Sequence, residues 1–258
     1  MLNYLKSEWY RVVRGKTIYV MAAILSAMIV VYNLILLVFG QSDADFPYAT
    51  IRYSLNTLIC FLSYLFSGAA LVAALLFSDD RKNGTLKNSI SYGIPRRSIF
   101  IGKCMISMAS AMIIGIIVLT FYVGSAFLLL QGSGVESLNK LLEGIGAALP
   151  SILASIVLAA VVLSLCNNVI VSLVWWISLT YILPSVIFQI GQKVEFINVI
   201  AKWIPTNFFN HEVTATNSGI YDCLWNTPFG FMKCMVAGFG FTLVFAAVGL
   251  LGFRKKEV

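Results

Sequence analysis

The sequence predicts an all-α membrane protein. It has six transmembrane helices, both termini on the cytoplasmic side, an amphipathic interfacial helix at the N-terminus and a short cytoplasmic helix between spans two and three. Three observations carry this. Hydrophobic residues make up 59% of the 258 and charged residues 11%, whereas soluble domains average about 25% charged, so too little polar material is present to coat a soluble core. Six blocks, 18–39, 54–77, 104–130, 147–166, 169–190 and 234–253, contain no Asp, Glu, Lys or Arg. Each is about 20 residues or longer, enough for a helix to cross a ~30 Å hydrocarbon core at ~1.5 Å per residue. With the N-terminus inside, 13 of the 18 basic residues fall in 1–17, 78–103, 167–168 and 254–258, and seven of the 11 acidic residues fall outside. That is the positive-inside bias. Backbone groups in lipid must be satisfied within the chain, which requires helices, and the blocks are too long and too uniform for barrel strands.

The elements follow in order. Over 1–17, Leu2, Leu5, Trp9 and Val12 or Val13 recur at helical spacing, with Lys6, Arg11 and Arg14 on the polar side. Leu5, Trp9, Arg11 and Arg14 then mark a helix lying at the lipid surface, which the periodicity favours over a plain basic flank. The first span exceeds the length of a signal's apolar core and reads as retained. After the third span, Val135, Leu138, Leu141, Leu142 and Ile145 share a face, with Glu136 and Lys140 as an i,i+4 pair, which predicts a short helix on the outer surface. Spans four and five are joined by little more than Asn167 and Asn168 and are antiparallel neighbours. Ser151, Ser155 and Ala159 place small residues four apart on span four, suited to close packing within the bundle or to a subunit or gate contact. The segment 191–231 is long, mixed and aromatic, and predicts one or two short helices at the outer interface, as gate or as lid.

Much familiar chemistry is excluded. The net charge of +7 is a topology signal and needs no nucleic acid. The chain's single histidine, His211, precedes Glu212, but Ala215 stands where a zinc-binding helix needs a second His. Residues 14–17, Arg-Gly-Lys-Thr, lack the earlier Gly of a phosphate-binding loop, since position 10 is Tyr. The five cysteines show no metal spacing; a Cys223–Cys234 bridge is one pairing the positions permit. The spans carry neutral polar groups such as Asn33, Asn56 and Gln189 rather than the ionisable residues of ion-coupled carriers. The chain thus reads as a transport or anchoring module with its energy source elsewhere.

Attention then falls on 79–103, which holds eight of the 29 charged side chains. Asp79, Asp80, Arg81 and Lys82 end span two. Asn83-Gly84 is a turn, Thr85 caps a short helix from Leu86 through Lys87 and Ser91 to Tyr92, and Gly93 ends it. Pro95 opens the next helix, with Arg96 and Arg97 in its first turn, where the dipole disfavours cations. This pattern resembles the cytoplasmic loop of ABC-2 type transporter permeases: Asp80-Arg81, Gly84-Thr85-Leu86, Ser91 to Gly93, Arg96 or Arg97, and Gly102-Lys103 at the foot of span three. The family more often has Glu in place of Asp80, and one Arg in place of two.

The resemblance implies a single permease domain over 1–258. Two permease subunits, expected as a homodimer, would sit in the bilayer and bind two separate ABC ATPase subunits. Residues 79–87, 91, 93, 96 and 97, with the N-terminal helix, would receive their motion. The permease itself would be non-catalytic and hold no cofactor, with ATP and Mg on the partner ATPase. The expected location is the plasma membrane of a bacterial-type cell, and the expected cargo an exported amphipathic or apolar molecule such as an antimicrobial peptide or drug. An ATP-independent carrier or channel, and a non-transporting anchor or sensor, are the alternatives.

Overall fold

Of the chain, the computed structural model describes residues 2–43, 46–82, 91–166 and 168–255. Helix α1 (Leu2–Arg14) is separated from α2 (Lys16–Ser42) by Gly15 alone, whose amide still donates to the Arg11 carbonyl at 2.8 Å. Helix α3 (Ile51–Cys60) starts where the Thr50 hydroxyl accepts the Tyr53 amide at 3.2 Å. It is followed, after a turn at 61–63, by α4 (Tyr64–Lys82). The two are bent by 70°. Next come α5 (Arg96–Leu129) and α6 (Val135–Leu165). Helix α7 (Val169–Ile177) runs through a π-helical turn (Ser178–Ile182) into α8 (Leu183–Gly191). The segment after it holds α9 (Glu195–Lys202), α10 (Pro205–His211) and a hairpin of β1 (Val213–Ala215) and β2 (Tyr221–Cys223), with Val213 opposite Cys223. Helix α11 (Pro228–Lys255) closes the fold. Among the described residues, five helical runs are long and apolar enough to cross a membrane, and the bent α3–α4 pair is a further candidate.

Helix α6 is the central pillar: 78% of its apolar window is buried, against 22% in each of the other four long runs. Its neighbours come close because small residues face it. A Cβ on Gly238 of α11 would lie 2.5 Å from the Pro150 ring and 2.7 Å from the Ser151 nitrogen, so only glycine allows this crossing. On the α4 side, the Ser155 hydroxyl donates to the Phe66 carbonyl at 3.0 Å, and Trp176 Nε1 from α7 donates to the Ser155 carbonyl at 3.3 Å. Ser155 and Ala159 are buried within the bundle, which is the packing role for these small residues rather than a subunit contact.

The expected single span over 54–77 is broken at 61–63. The break is held by distant partners. The Ser63 carbonyl accepts the Tyr181 hydroxyl at 2.7 Å, and the Ser63 hydroxyl donates to Asn210 Oδ1 at 2.6 Å. Tyr181 belongs to the π turn, which has its own defect. In an α-helix the Thr180 carbonyl would accept the amide of residue 184, but Pro184 has none. The π turn shifts the neighbouring bond, with the Leu183 amide donating to the Ser178 carbonyl. The Thr180 carbonyl takes the Thr206 hydroxyl instead, at 2.7 Å. Asn207 Nδ2 donates to the carbonyls of Pro184 and Ala201, both at 3.0 Å. Helix α10 is thus pinned to the carbonyls of Thr180 and Pro184 and to the end of α9.

Several expectations need correction. The helix expected after the third span is no separate surface element: it continues unbroken into α6, with Pro150 inside. Leu141 is buried but Leu142 is exposed, so the expected face is not one face. The Glu136–Lys140 pair is not formed, because better-placed partners exist. Glu136 lies 3.5 Å from Arg52, and Lys140 reaches Glu143 at 2.8 Å and Asn226 at 3.1 Å. Gln189 is exposed, whereas Asn33 is fully buried. Asn33 accepts from the Ser54 hydroxyl (2.7 Å) and donates to Ser125 Oγ (2.7 Å) and the Tyr122 carbonyl (3.2 Å), tying α2, α3 and α5 together. His211 stacks on Phe188 at 3.9 Å between ring centroids. Cys223 and Cys234 are separate free thiols.

Thr206→Val should lower stability by about 1–3 kcal/mol, the cost of an unsatisfied buried acceptor. Adding Pro184→Ala restores an amide four residues after Thr180 and should recover most of that loss in thermal unfolding. A double variant no more stable than Thr206→Val sinks the assignment. Burial also pushes the Cys223 thiol up to about 11, so only about one thiol in a thousand is thiolate at pH 8. Peptide mapping should find Cys223 unlabelled by maleimide at pH 8 in the folded protein, with labelling rising as pH climbs toward 11. Fast labelling at neutral pH contradicts this burial.

Candidate functional site

The last turn of α4 and the first turn of α5 lie at the end of the bundle that carries α1, and they hold several of the residues singled out in the sequence. Asp79, Asp80, Arg81 and Lys82 form the last turn of α4. Asn83, Gly84, Thr85, Leu86 and Lys87 lie outside the described residues, as does most of the expected helix over 86–92. Ser91 is helical and precedes a turn at Tyr92-Gly93, where Gly93 has φ of +80°, a conformation that favours glycine. Pro95 stands just before α5, and Arg96 and Arg97 occupy the first turn, which contains no acidic residue.

Helix α1 packs on the foot of α5. The Tyr4 ring packs against Gly102: a Cβ there would come within 2.7 Å of the ring. Tyr4 is buried, and that burial, with the negative charge of Glu8 beside it, raises its phenol well above the ordinary tyrosine range. One turn along, Glu8 is only 8% exposed. Its Oε2 lies 2.6 Å from Arg11 Nη2 and 3.9 Å from Lys103 Nζ. Lys103 is itself buried, with its ammonium 5.5 Å from the centre of the Phe77 ring of α4. Val12, Leu76, Ile106 and Ser107 complete the wall around this group. One carboxylate from α1 therefore faces a cation from its own helix and a cation from α5, over an aromatic ring from α4.

The face that α1 turns to the protein is Tyr4, Glu8 and Val12, spaced by four. It overlaps only at its edge with the apolar set expected from the sequence. Trp9 and Val13 are exposed, Leu5 is half-buried, and Arg14 sits over the Tyr10 ring at 5.2 Å. Sequence reasoning missed Tyr4 and Glu8. The available signal was that Glu8 is the sole acid among residues 1–17, four residues from Tyr4 and four from Val12.

The arrangement is one of charge pairing and packing. It can hold three helices together at one corner, so that a push on any of them moves the others. A family model described as "ABC-2 family transporter protein" matches residues 4–191, the stretch from α1 to the end of α8. No curated protein and no solved structure matches the chain. The matched stretch includes Tyr4, Glu8, Gly102 and Lys103.

Removing one partner of a buried charge pair leaves the others uncompensated, at a cost of about 3–5 kcal/mol. Glu8→Ala should therefore release α1, seen as faster trypsin cleavage after Arg11 and Arg14 in the intact protein. Gly102→Val, which drives a methyl into the Tyr4 ring, should do the same without altering any charge. Cleavage rates equal to wild type in both variants would show that α1 is held by something else.

Proposed function

The chain belongs to the ABC-2 transporter family, and from that premise we propose that it is the permease subunit of an ATP-driven exporter, working as a pair of identical chains with two separate ATPase subunits. The α1 end faces the cytoplasm on this reading. The bent α3–α4 pair counts as one span, which gives six spans with both termini inside, as the distribution of Lys and Arg favours. The multi-pass chain would lie in the plasma membrane of a bacterial-type cell. ATP and Mg would be held by the partner subunits.

The observation that carries the proposal is the buried junction of Glu8, Arg11 and Lys103 against Phe77. It joins α1, α4 and α5 at the place where the 79–97 connection leaves and returns. A partner that grips that connection, through Asp80 to Lys87 and Arg96 or Arg97, moves all three helices together. When the ATPase subunits close, the helices act as rigid levers on the pathway between the two permeases. The lack of Asp and Glu within the apolar blocks, and their many Phe, Leu and Ile residues, favour an amphipathic or apolar cargo over a charged one.

Copurification in mild detergent tests this. Wild-type protein should bring down an ATPase whose hydrolysis it stimulates. Gly84→Pro and Asp80→Lys should each lose the partner or its stimulation while the permease keeps its melting temperature. If both variants retain partner and stimulation, the 79–97 connection is not the coupling element. If purified permease alone moves cargo into vesicles, the ATP-driven reading fails and a secondary carrier takes its place.

A further inference from the structure

The helix irregularities around Pro184 leave an opening halfway up the bundle. Between α6, the π turn, α10 and α11 lies a cleft of about 70 Å³, walled by Phe66, Leu158, Phe241 and Phe245. Four hydroxyl-bearing residues line it: Ser151, Ser155, Thr180 and Thr206. Two of the hydroxyls are satisfied: Ser155 donates to the Phe66 carbonyl and Thr206 to the Thr180 carbonyl. The other two, those of Ser151 and Thr180, have no hydrogen-bond partner among the described residues, although they are only 3% and 8% exposed. A buried hydroxyl without a partner is costly in apolar surroundings, and an acceptor brought by a ligand removes that cost.

The location says where such a ligand comes from. Ser151 is the 17th residue of 31 in α6 and Phe241 the 14th of 28 in α11, so the cleft lies at mid-height. Of its lining, Leu179 is 38% exposed, and Ile204, Phe241 and Phe245 are half-buried. In a membrane-spanning bundle this apolar flank faces hydrocarbon, and the cleft is reached from the side. Ordinary lipid tails offer only methylenes at that depth and leave both hydroxyls unpaired. The size is also selective, since a cavity of about 150 Å³ is what holds benzene. The occupant is therefore slender, or enters with one end only.

We propose that this cleft is a binding site, within a single subunit, for a slender apolar molecule bearing a hydrogen-bond-accepting oxygen, such as an alkyl ketone, ether or amide, that enters laterally from the bilayer. Ser151 and Thr180 donate to that oxygen while the four apolar walls hold the chain. The proposal rests on the transporter reading and gives its cargo a station away from any subunit interface.

The test uses the full chain in phosphatidylcholine nanodiscs and a diazirine-bearing alkyl ketone, with labelled peptides mapped by mass spectrometry. Label should fall on the peptides around Ser151 and Thr180. 2-Decanone should compete about 10-fold better than decane, the scale of one to two hydrogen bonds. Ser151→Ala with Thr180→Val keeps the shape and should make the two competitors equal. Ala154→Leu, on the cleft wall, should abolish labelling. Equal competition in the wild type overturns the proposal and leaves the cleft to lipid tails or water. Labelling that survives Ala154→Leu in a protein of unchanged melting temperature overturns it too. ATPase copurification on the same samples separates the two readings. Partner retained with no ketone preference removes the cleft site alone. Ketone preference with no partner in any sample upholds the binding site and removes the ATP-driven reading.

Discussion

Pro184 has no amide hydrogen, and the Thr180 carbonyl four residues before it is left without its helical donor. In water this would matter little. At the middle of a membrane-spanning helix no water is at hand, and the carbonyl must find a donor within the protein. Thr206 supplies it, and much of the upper bundle follows from that need. Thr206 and Asn207 lie in adjacent positions of the short α10, and both are committed to carbonyls of the broken span or its approach. That fixes α10 against the π turn. Asn210, one turn further on, then reaches Ser63 in the bend between α3 and α4, and Tyr181 from the π turn reaches the same residue's carbonyl. Three irregular segments thus satisfy one another. None of them is stable at that depth alone.

The same logic, with charge in place of carbonyls, governs the other end. A buried lysine is tolerable only with an anion near it. Lys103 has Glu8, which also holds Arg11. Because Glu8 comes from α1, a helix that reads from its sequence as a surface element becomes part of the packed structure. Gly102 lets Tyr4 come close enough for this. At the opposite end the corresponding pair is Lys233 with Glu212, both oxygens at 2.8 Å, beside the Phe208 ring. It ties the start of α11 to the end of α10.

What the sequence reveals, and what it hides, divides along these lines. Charge-free runs mark the long helices, because the cost of charge in hydrocarbon acts residue by residue and leaves a local trace. The bend at 61–63 leaves none: Phe61-Leu62-Ser63 contains neither Gly nor Pro, and its stabilising partners are 118 and 147 residues away. The continuity of α6 is hidden for the opposite reason. Gly144 and Gly146 fall where the sequence places a separate surface helix, yet Gly144 makes room for the Trp225 ring, and Pro150 is accommodated inside the helix by Gly238 of α11. The foot of span three was legible as a Gly-Lys pair. Its carboxylate was not, since a lone Glu8 on a basic helix looks like a solvated residue until α5 is placed against it.

These two ends are joined by one element. Helix α4 begins at the bend locked by Tyr181 and Asn210, and its last turn enters the connection that leads to α5. Nineteen helical residues span about 28 Å. Phe66, near its start, packs edge-on against Phe209 of α10, and Phe77, near its end, lies under Lys103. On the proposed reading, a partner pulling on the connection therefore cannot shift α4 without straining bonds that hold the outer segment closed. A continuous helix with discrete contacts at both ends is the kind of element that carries a two-state change over such a distance. The side chains along its length need no special chemistry for this. The requirement is only that both ends be tied to their neighbours, by the bonds to Ser63 beside one end and by the packing of Phe77 near the other.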